Sequence, residues 1–223
     1  MKRRIQFSVA VASWAALALA AQSFQKAAAQ VPPDEFRKPL VEALGSPFIV
    51  LREKVLDELK ATDDQKDKLM QYMMEQIQET GPFLDSLKDA GPEREKKLNE
   101  HRKLAHEKLA KRMKEVLGPD QLKRARQVTL QQDGGFALGR DDIQKELKIS
   151  QEQIRKFESI IQELHKSVEP LMKQAQAGAN PEEIKPKIEK LRKEQARKLE
   201  AVLTEAQQKQ WKALLGPPFE LGD

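Results

Sequence analysis

Apolar residues recur at steps of three and four along most of the chain after residue 47, which is the spacing of one face of an α-helix. The predicted long helices cover residues 62–84, 98–117, 150–175 and 186–203, and the predicted short ones cover 48–59, 119–128, 143–147 and 204–215. No stretch shows the two-residue alternation of a half-buried strand. The pattern therefore predicts an all-α fold.

Proline and glycine punctuate these helices. Gly81-Pro82 is predicted to end or kink the first long helix, because proline lacks a backbone donor and its ring clashes with the preceding turn. Gly91-Pro92 and Asn180-Pro181 are predicted to turn the chain. Pro186 is predicted in the first turn of its helix, where proline is best tolerated.

The chain contains an internal repeat. Phe48 recurs as Phe136, and Arg52 recurs as Arg140, at the same offset of 88 residues. Further matches follow in both copies. A repeat of this length indicates two copies of one supersecondary unit. We therefore expect two tandem antiparallel helical-hairpin modules with short flanking helices.

The repeat and the local composition also set the expected boundaries. Pro-rich and Gly-rich stretches mark the segments that connect the helical parts. The expected organisation is a signal peptide at 1–29, a Pro-rich tether at 30–46, helical module 1 at 47–131, a Gly-rich joint at 132–139, helical module 2 at 140–216 and a tail at 217–223.

Residues 1–29 have the layout of a secretory signal peptide: a short basic start, an apolar run and then small residues. Cleavage is predicted near Ala29, with Ala18-Leu19-Ala20 as an earlier alternative. The competing interpretation is an uncleaved membrane anchor, but the apolar run is slightly short for the about 20 residues that a span requires. We expect an exported protein with no stable membrane span after cleavage.

Charge argues against a nucleic-acid partner. The chain has 40 basic and 35 acidic residues, a formal net charge of +5. Residues 1–29 hold four of the basic residues and no acidic ones, so their removal leaves 36 basic and 35 acidic residues. Nucleic-acid binding requires a clear cationic excess, which a net charge of +1 does not provide.

The sequence contains no pattern typical of catalysis or metal binding. It has no cysteine, no nucleophile elbow and no phosphate-binding loop. His101 and His106 are five residues apart, a poor spacing for sharing one ion on a helix, and His165 is alone. We expect no enzymatic activity, no cofactor and no metal site.

Four predicted helix starts share one form. In a capping box a Ser or Thr hydroxyl accepts a hydrogen bond from the third helical amide, and a Gln or Glu side chain reaches back to the cap amide. The fourth start has a glycine and then a proline where the others have the hydroxyl residue. The residues of these starts are Thr62 with Gln65, Ser150 with Gln153, Thr204 with Gln207, and Gln121 after Gly118-Pro119.

These starts resemble the LTxxQ motif of the Spy/CpxP group of periplasmic proteins. Leu203-Thr204-Glu205-Ala206-Gln207 has the full motif, and the other three starts match it less closely. The resemblance implies an all-α, curved, dimeric cradle in the periplasm that acts as an ATP-independent chaperone or as an adaptor in envelope-stress signalling. Because this chain carries two copies, it is expected to form either a pseudo-dimer within one chain or a homodimer.

Several side chains are candidates for contact with other polypeptides. Met70 and Met74 fall outside the main apolar stripe, and Tyr72 lies between them. Methionine side chains can present an adaptable apolar surface, although plain packing or copper(I) binding are alternatives. The basic candidates are Arg102, Lys103, Lys108 and Arg112, for which a solvated helix face is the alternative.

The expected function is therefore that of an exported, ATP-independent, chaperone-like or stress-adaptor protein. Its partners would be unfolded or exposed polypeptide segments. Two alternatives stay open at this point: an adaptor with one specific envelope partner, and a metal-responsive envelope protein.

Overall fold

The computed structural model describes residues 44–87 and 90–221, and these residues form helices and no strand. The predicted all-α class is therefore confirmed. The predicted signal peptide, its cleavage site and most of the predicted tether lie outside the described residues. No helix in the described part of the chain combines the length and the apolar character needed to cross a membrane.

The described residues form two compact units. Unit 1 extends to Thr129 and includes residues 220–221, and unit 2 is Leu130–Phe219. The helices of unit 1 are a 3-10 helix at Ser46–Leu51, α1 at Glu53–Glu58, α2 at Asp63–Ser86, a 3-10 helix at Gly91–Glu93, α3 at Arg94–Val116 and most of α4 at Pro119–Asp133. Those of unit 2 are a 3-10 helix at Gly134–Gly139, α5 at Asp141–Glu146, α6 at Gln151–Gln176, α7 at Pro181–Ala201 and α8 at Glu205–Leu215.

In unit 1, α3 runs back along α2. The Tyr72 hydroxyl on α2 donates to the carbonyl oxygen of Ala105 on α3, at 3.4 Å, and Thr80 lies 3.3 Å from a ring nitrogen of His101. Residues further along α2 therefore meet residues nearer the start of α3. The first 3-10 helix packs on this pair and buries four consecutive residues, from Phe48 to Leu51. Burial of these apolar side chains is the main source of stability.

In unit 2, the 3-10 helix Gly134–Gly139 packs on α7 at very short range. A Cβ atom placed on Gly135 would lie only 2.2 Å from the carbonyl oxygen of Ala196, so only glycine fits there. The guanidinium of Arg192 lies over the ring of Phe136, 5.1 Å from its centroid. The core of the unit consists of Leu130, Ala137, Leu138, Ile143, Leu147, Phe157, Leu199, Leu203 and Trp211.

The sequence repeat has a counterpart in the backbone. The 3-10 helices at Ser46–Leu51 and Gly134–Gly139 begin 88 residues apart, as do α1 and α5 and also α2 and α6. Lys60 and Lys148, at the same offset, both have positive φ angles, of 51° and 52°. Equivalent positions of the two copies therefore adopt the same local conformation, even where that conformation is unusual for a residue with a side chain.

The prediction for Pro186 is wrong, and of the two outcomes predicted for Gly81-Pro82, the end of the helix does not occur there. α2 does not end at Gly81-Pro82 but continues to Ser86, with Pro82 inside it. Pro82 lies in the last part of α2, where its missing N–H removes a single backbone hydrogen bond. Pro186 is not in the first turn of α7, because Asn180 caps that helix and Pro181 takes its first position.

Candidate functional site: paired helix starts and the adjoining helix faces

Each of the three Ser/Thr helix starts forms a capping box. At the start of α2, the Thr62 hydroxyl accepts from the amide of Gln65 at 3.3 Å, and the Gln65 side-chain oxygen accepts from the amide of Thr62 at 3.0 Å. Ser150 with Gln153 and Thr204 with Gln207 make the same two bonds. At the start of α4, Gln121 accepts from the amide of Gly118 at 2.9 Å, although glycine has no side chain to return the bond.

The structure brings these starts together in pairs, one pair in each unit. In unit 1, Gln65 Nε2 donates to Gln121 Oε1, and Gln121 Nε2 donates to Gln65 Oε1, both at 2.9 Å. In unit 2, Gln153 and Gln207 exchange the same two bonds, at 2.7 and 3.2 Å. A motif that looks local in the sequence is therefore one half of a long-range contact.

The paired glutamines also bind the backbone of the neighbouring helix ends. Gln65 Nε2 donates to the carbonyl oxygen of Val116 at the end of α3, at 2.8 Å, and Gln121 Nε2 donates to that of Leu59 at 3.1 Å. In unit 2, Gln153 binds the Val202 carbonyl at 3.0 Å and Gln207 binds that of Leu147 at 3.2 Å. The last carbonyls of a helix have no partner within it, so these bonds satisfy groups that the helix leaves open.

This geometry explains why all four starts carry glutamine. A capping box accepts glutamate as readily as glutamine, because the cap amide needs only an oxygen acceptor. The contact between the two starts also needs a donor on each side chain, and an ionised carboxylate has none. The glutamines therefore have a structural role: their hydrogen bonds hold two helix starts and two helix ends together at one end of each unit.

The predicted contact residues divide into buried and accessible groups. Tyr72 is buried, with 4% of its surface exposed, and this burial raises the pKa of its hydroxyl above the usual range. Met70 and Met74 are half-buried. They lie in the same helical row as Lys66, which pairs with Asp57 of α1 at 2.6 Å. Tyr72 therefore belongs to the packing of unit 1, whereas Met70 and Met74 keep part of their surface accessible.

The basic candidates lie along α3. Lys108 pairs with Glu79 at 2.7 Å, and this bond lowers the pKa of the Glu79 carboxyl. Arg112 lies 3.7 Å from Glu75 and places its guanidinium 5.8 Å from the centre of the Tyr72 ring. Both therefore join α3 to α2. Arg102 is half-buried and Lys103 is exposed.

Two of the three histidines make contacts within unit 1. His101 lies beside Thr80 and stacks on the Phe83 ring with 3.9 Å between ring centres. Its half-buried position lowers the pKa of its ring. His106 bonds to the carbonyl oxygen of Leu44. His165 is exposed. The described residues contain no group of three or more His, Asp or Glu side chains placed to hold a metal ion.

Two exposed apolar residues were missed by the sequence argument. Leu104 is 58% exposed on α3, and Met172 is 47% exposed on α6. Leu104 precedes the core residue Ala105 but does not lie in the row of buried residues that contains Ala105 and Leu109. Its position outside that row could have predicted its exposure. Met172 follows Leu171 directly, and sequence alone does not show which of two adjacent apolar residues is buried.

Comparison with known proteins adds no assignment, because no protein-family model, no curated protein and no solved structure matches the chain.

Proposed function

We propose that the protein is an exported, ATP-independent, chaperone-like or stress-adaptor protein that holds exposed apolar segments of other polypeptides. The proposal includes the idea that units 1 and 2 are copies of one hairpin module of the Spy/CpxP type, acting in the periplasm. The resemblance of the helix starts supports the family, and the incomplete burial of apolar residues on α6 and α7 supports the activity.

The observation that carries the proposal is an apolar stripe on α6 and α7. We define the stripe as Val168, Leu171, Met172, Ile188 and Leu191. The first three lie on neighbouring turns of α6 and the last two on one face of α7. Met172 is exposed and the other four are half-buried. Apolar surface left in contact with water is available to bind apolar segments of a partner.

At two of the five stripe positions, the equivalent residues of unit 1 are more deeply buried. Val168 corresponds to Thr80 at the offset of 88, and Leu191 corresponds to Ala105 at the offset of 86. Thr80 and Ala105 are both only 3% exposed. Unit 2 therefore has larger apolar side chains at these positions and buries them less, which is the reverse of what packing alone would favour.

Charged residues beside the stripe would suit weak binding of many sequences. Glu169 and Lys173 form an ion pair at 2.6 Å on α6, next to Leu171 and Met172. Long lysine side chains can cover apolar surface with their methylene groups and move aside when a partner binds. Such a surface favours short-lived contacts with varied clients over one rigid fit.

The test is suppression of aggregation. The full chain would be mixed at several ratios with two unrelated unfolding proteins, without ATP, and light scattering followed over time. We expect suppression of both clients. Met172→Glu should weaken it, because a carboxylate in the stripe would have to lose its water on binding. Gln174→Glu, a change to the same residue at an exposed position of the same helix, is the matched control.

If the protein suppresses aggregation of neither client, the chaperone-like function is wrong and an adaptor with one partner is favoured. Equal loss of activity in both variants would show that added charge, rather than the stripe, is responsible.

A further inference from the structure

The outer faces of α3 and α7 each carry a regular row of charged residues. On both helices, the positions opposite the hairpin partner recur at alternating steps of four and three, which is the spacing of a helix–helix seam. The α3 row, all of it exposed, is Lys96, Glu100, Lys103, Glu107, Ala110 and Lys114. The α7 row, exposed except for its half-buried last two members, is Glu182, Pro186, Glu189, Lys193, Ala196 and Glu200.

The two rows occupy equivalent positions of the two units. Arg112 of α3 lies 3.7 Å from Glu75 of α2. Lys198 of α7, 86 residues after Arg112, likewise lies 3.7 Å from Glu163 of α6. Because α3 and α7 are each continuous helices, the offset of 86 holds along both rows.

Charges at equivalent positions of the two rows are opposite. Four of the six pairs join a lysine to a glutamate: Lys96 with Glu182, Lys103 with Glu189, Glu107 with Lys193, and Lys114 with Glu200. The other two pairs are Glu100 with Pro186 and Ala110 with Ala196, so no pair has like charges. A solvated face needs charge but no particular sign, so solvation does not explain this reversal. Two surfaces that bind each other require it.

The charges at the centre of the rows are available for such a contact. Lys103 and Glu107 on α3, and Glu189 and Lys193 on α7, are exposed. None of the four forms an ion pair within the described part of the chain. An external partner could therefore bind them without breaking an existing ion pair.

The order of the charges also selects the direction of the contact. When α3 of one molecule lies parallel to α7 of another with the rows facing, equivalent positions lie at the same height, as in a parallel coiled coil. Each lysine then meets a glutamate. An antiparallel arrangement centred on the same residues would instead oppose Lys103 to Lys193. Lys111 and Arg197, which carry like charges, lie beside the rows and not in them.

We propose that a second copy of this chain docks through these rows, with α3 of one molecule parallel to α7 of the other. Every molecule carries both rows, so the contact needs no other protein. A contact made of exposed ion pairs is weak and is sensitive to salt. No residue of the rows belongs to the apolar stripe, so the proposal does not depend on the chaperone-like function.

The test exchanges charges within a row and leaves the net charge of the chain unchanged. The first variant, Lys103→Glu with Glu107→Lys, reverses the centre of the α3 row. The second variant, Glu189→Lys with Lys193→Glu, reverses the centre of the α7 row. The third variant carries all four changes. Sedimentation velocity of the full chain at several protein concentrations measures self-association in about 0.1 M and about 1 M salt.

The matched control exchanges an ion pair outside the rows. Glu152 and Lys156 are exposed on α6, have the same spacing as the exchanged pairs and lie 2.7 Å apart. The control variant is Glu152→Lys with Lys156→Glu. It should self-associate like the natural chain, in about 0.1 M salt but not in about 1 M salt.

The first two variants should each self-associate about tenfold more weakly, because two attractive pairs become repulsive. The third variant should recover the association of the natural chain. An equimolar mixture of the first two variants should also associate, since the reversed α3 row of one then meets the reversed α7 row of the other.

A natural chain that stays monomeric in about 0.1 M salt at every concentration would overturn the proposal. It would also be overturned by first and second variants that associate as strongly as the natural chain, or by a third variant that does not recover. Far-UV circular dichroism of each variant separates lost association from lost folding.

Discussion

Gln65 and Gln121 exchange two hydrogen bonds, each 2.9 Å between nitrogen and oxygen, across a separation of 56 residues. Each side chain also accepts from the backbone amide at the start of its own helix. The side-chain amide of each glutamine therefore caps its own helix and also binds the start of a second helix. Unit 2 repeats the arrangement with Gln153 and Gln207.

Gln65→Glu should destabilise the protein although it keeps the capping box. The carboxylate can still accept from Thr62, but it loses both donated bonds and faces the oxygens of Val116 and Gln121. We expect a loss of about 2 kcal/mol in the free energy of unfolding, the scale for leaving partly buried acceptors unsatisfied. Urea unfolding measures it. Gln71→Glu, exposed on the same helix, should change little, and equal effects of both changes would show that the paired contact does not stabilise.

Gly135→Ala should be among the most damaging small substitutions. The new methyl group would lie 2.2 Å from the carbonyl oxygen of Ala196, and backbone atoms cannot move aside cheaply. We expect a loss of about 3 kcal/mol from overpacking. Gly139→Ala is the control, because nothing lies within 4 Å of its Cβ position. Thermal or urea unfolding compares the two, and a Gly135→Ala protein as stable as Gly139→Ala would contradict the close approach.

Lys60→Gly should stabilise unit 1. Lys60 has a φ angle of 51° at a helix end where the amide of Ala61 bonds to the carbonyl oxygen of Leu56 at 2.9 Å. Glycine adopts this conformation without steric cost, so we expect a gain of up to about 1 kcal/mol. Lys54→Gly, inside α1, should instead cost about 1 kcal/mol. Urea unfolding that shows a loss for both changes would refute the assignment of strain to Lys60.

Lowering the pH should weaken unit 1 through His101. Burial lowers the pKa of its ring, although the Glu79 carboxylate opposes this. The unfolded histidine, with a pKa of about 6.5, therefore takes up a proton more readily than the folded one. The stability that His101 contributes is present above that value and is lost as the pH falls through the lower folded pKa.

The measurement is urea unfolding at several values between about pH 8 and about pH 5, above the ordinary carboxylate range. His101→Gln should remove much of the dependence of the free energy of unfolding on pH in that interval. His165→Gln, at an exposed position in unit 2, should leave it unchanged. A slope that is the same in all three proteins would mean that other groups cause it.

The sequence by itself determined the all-α class and the places where three capped helices begin. Apolar spacing and capping boxes depend on residues three or four positions apart, so they can be read without knowledge of the fold. Thr62, Ser150 and Thr204 stand at helix starts for this local reason. The repeat likewise indicated that Lys60 and Lys148, or Arg52 and Arg140, occupy equivalent positions.

Only the tertiary structure decided which partner each of these residues meets. Gln65 pairs with Gln121, Gly135 lies against Ala196, and Tyr72 is buried instead of presented to a client. It also left Met172 exposed and buried Arg52. These outcomes depend on contacts between residues far apart in the sequence, where packing and the distance between helices determine which hydrogen bonds and ion pairs can form.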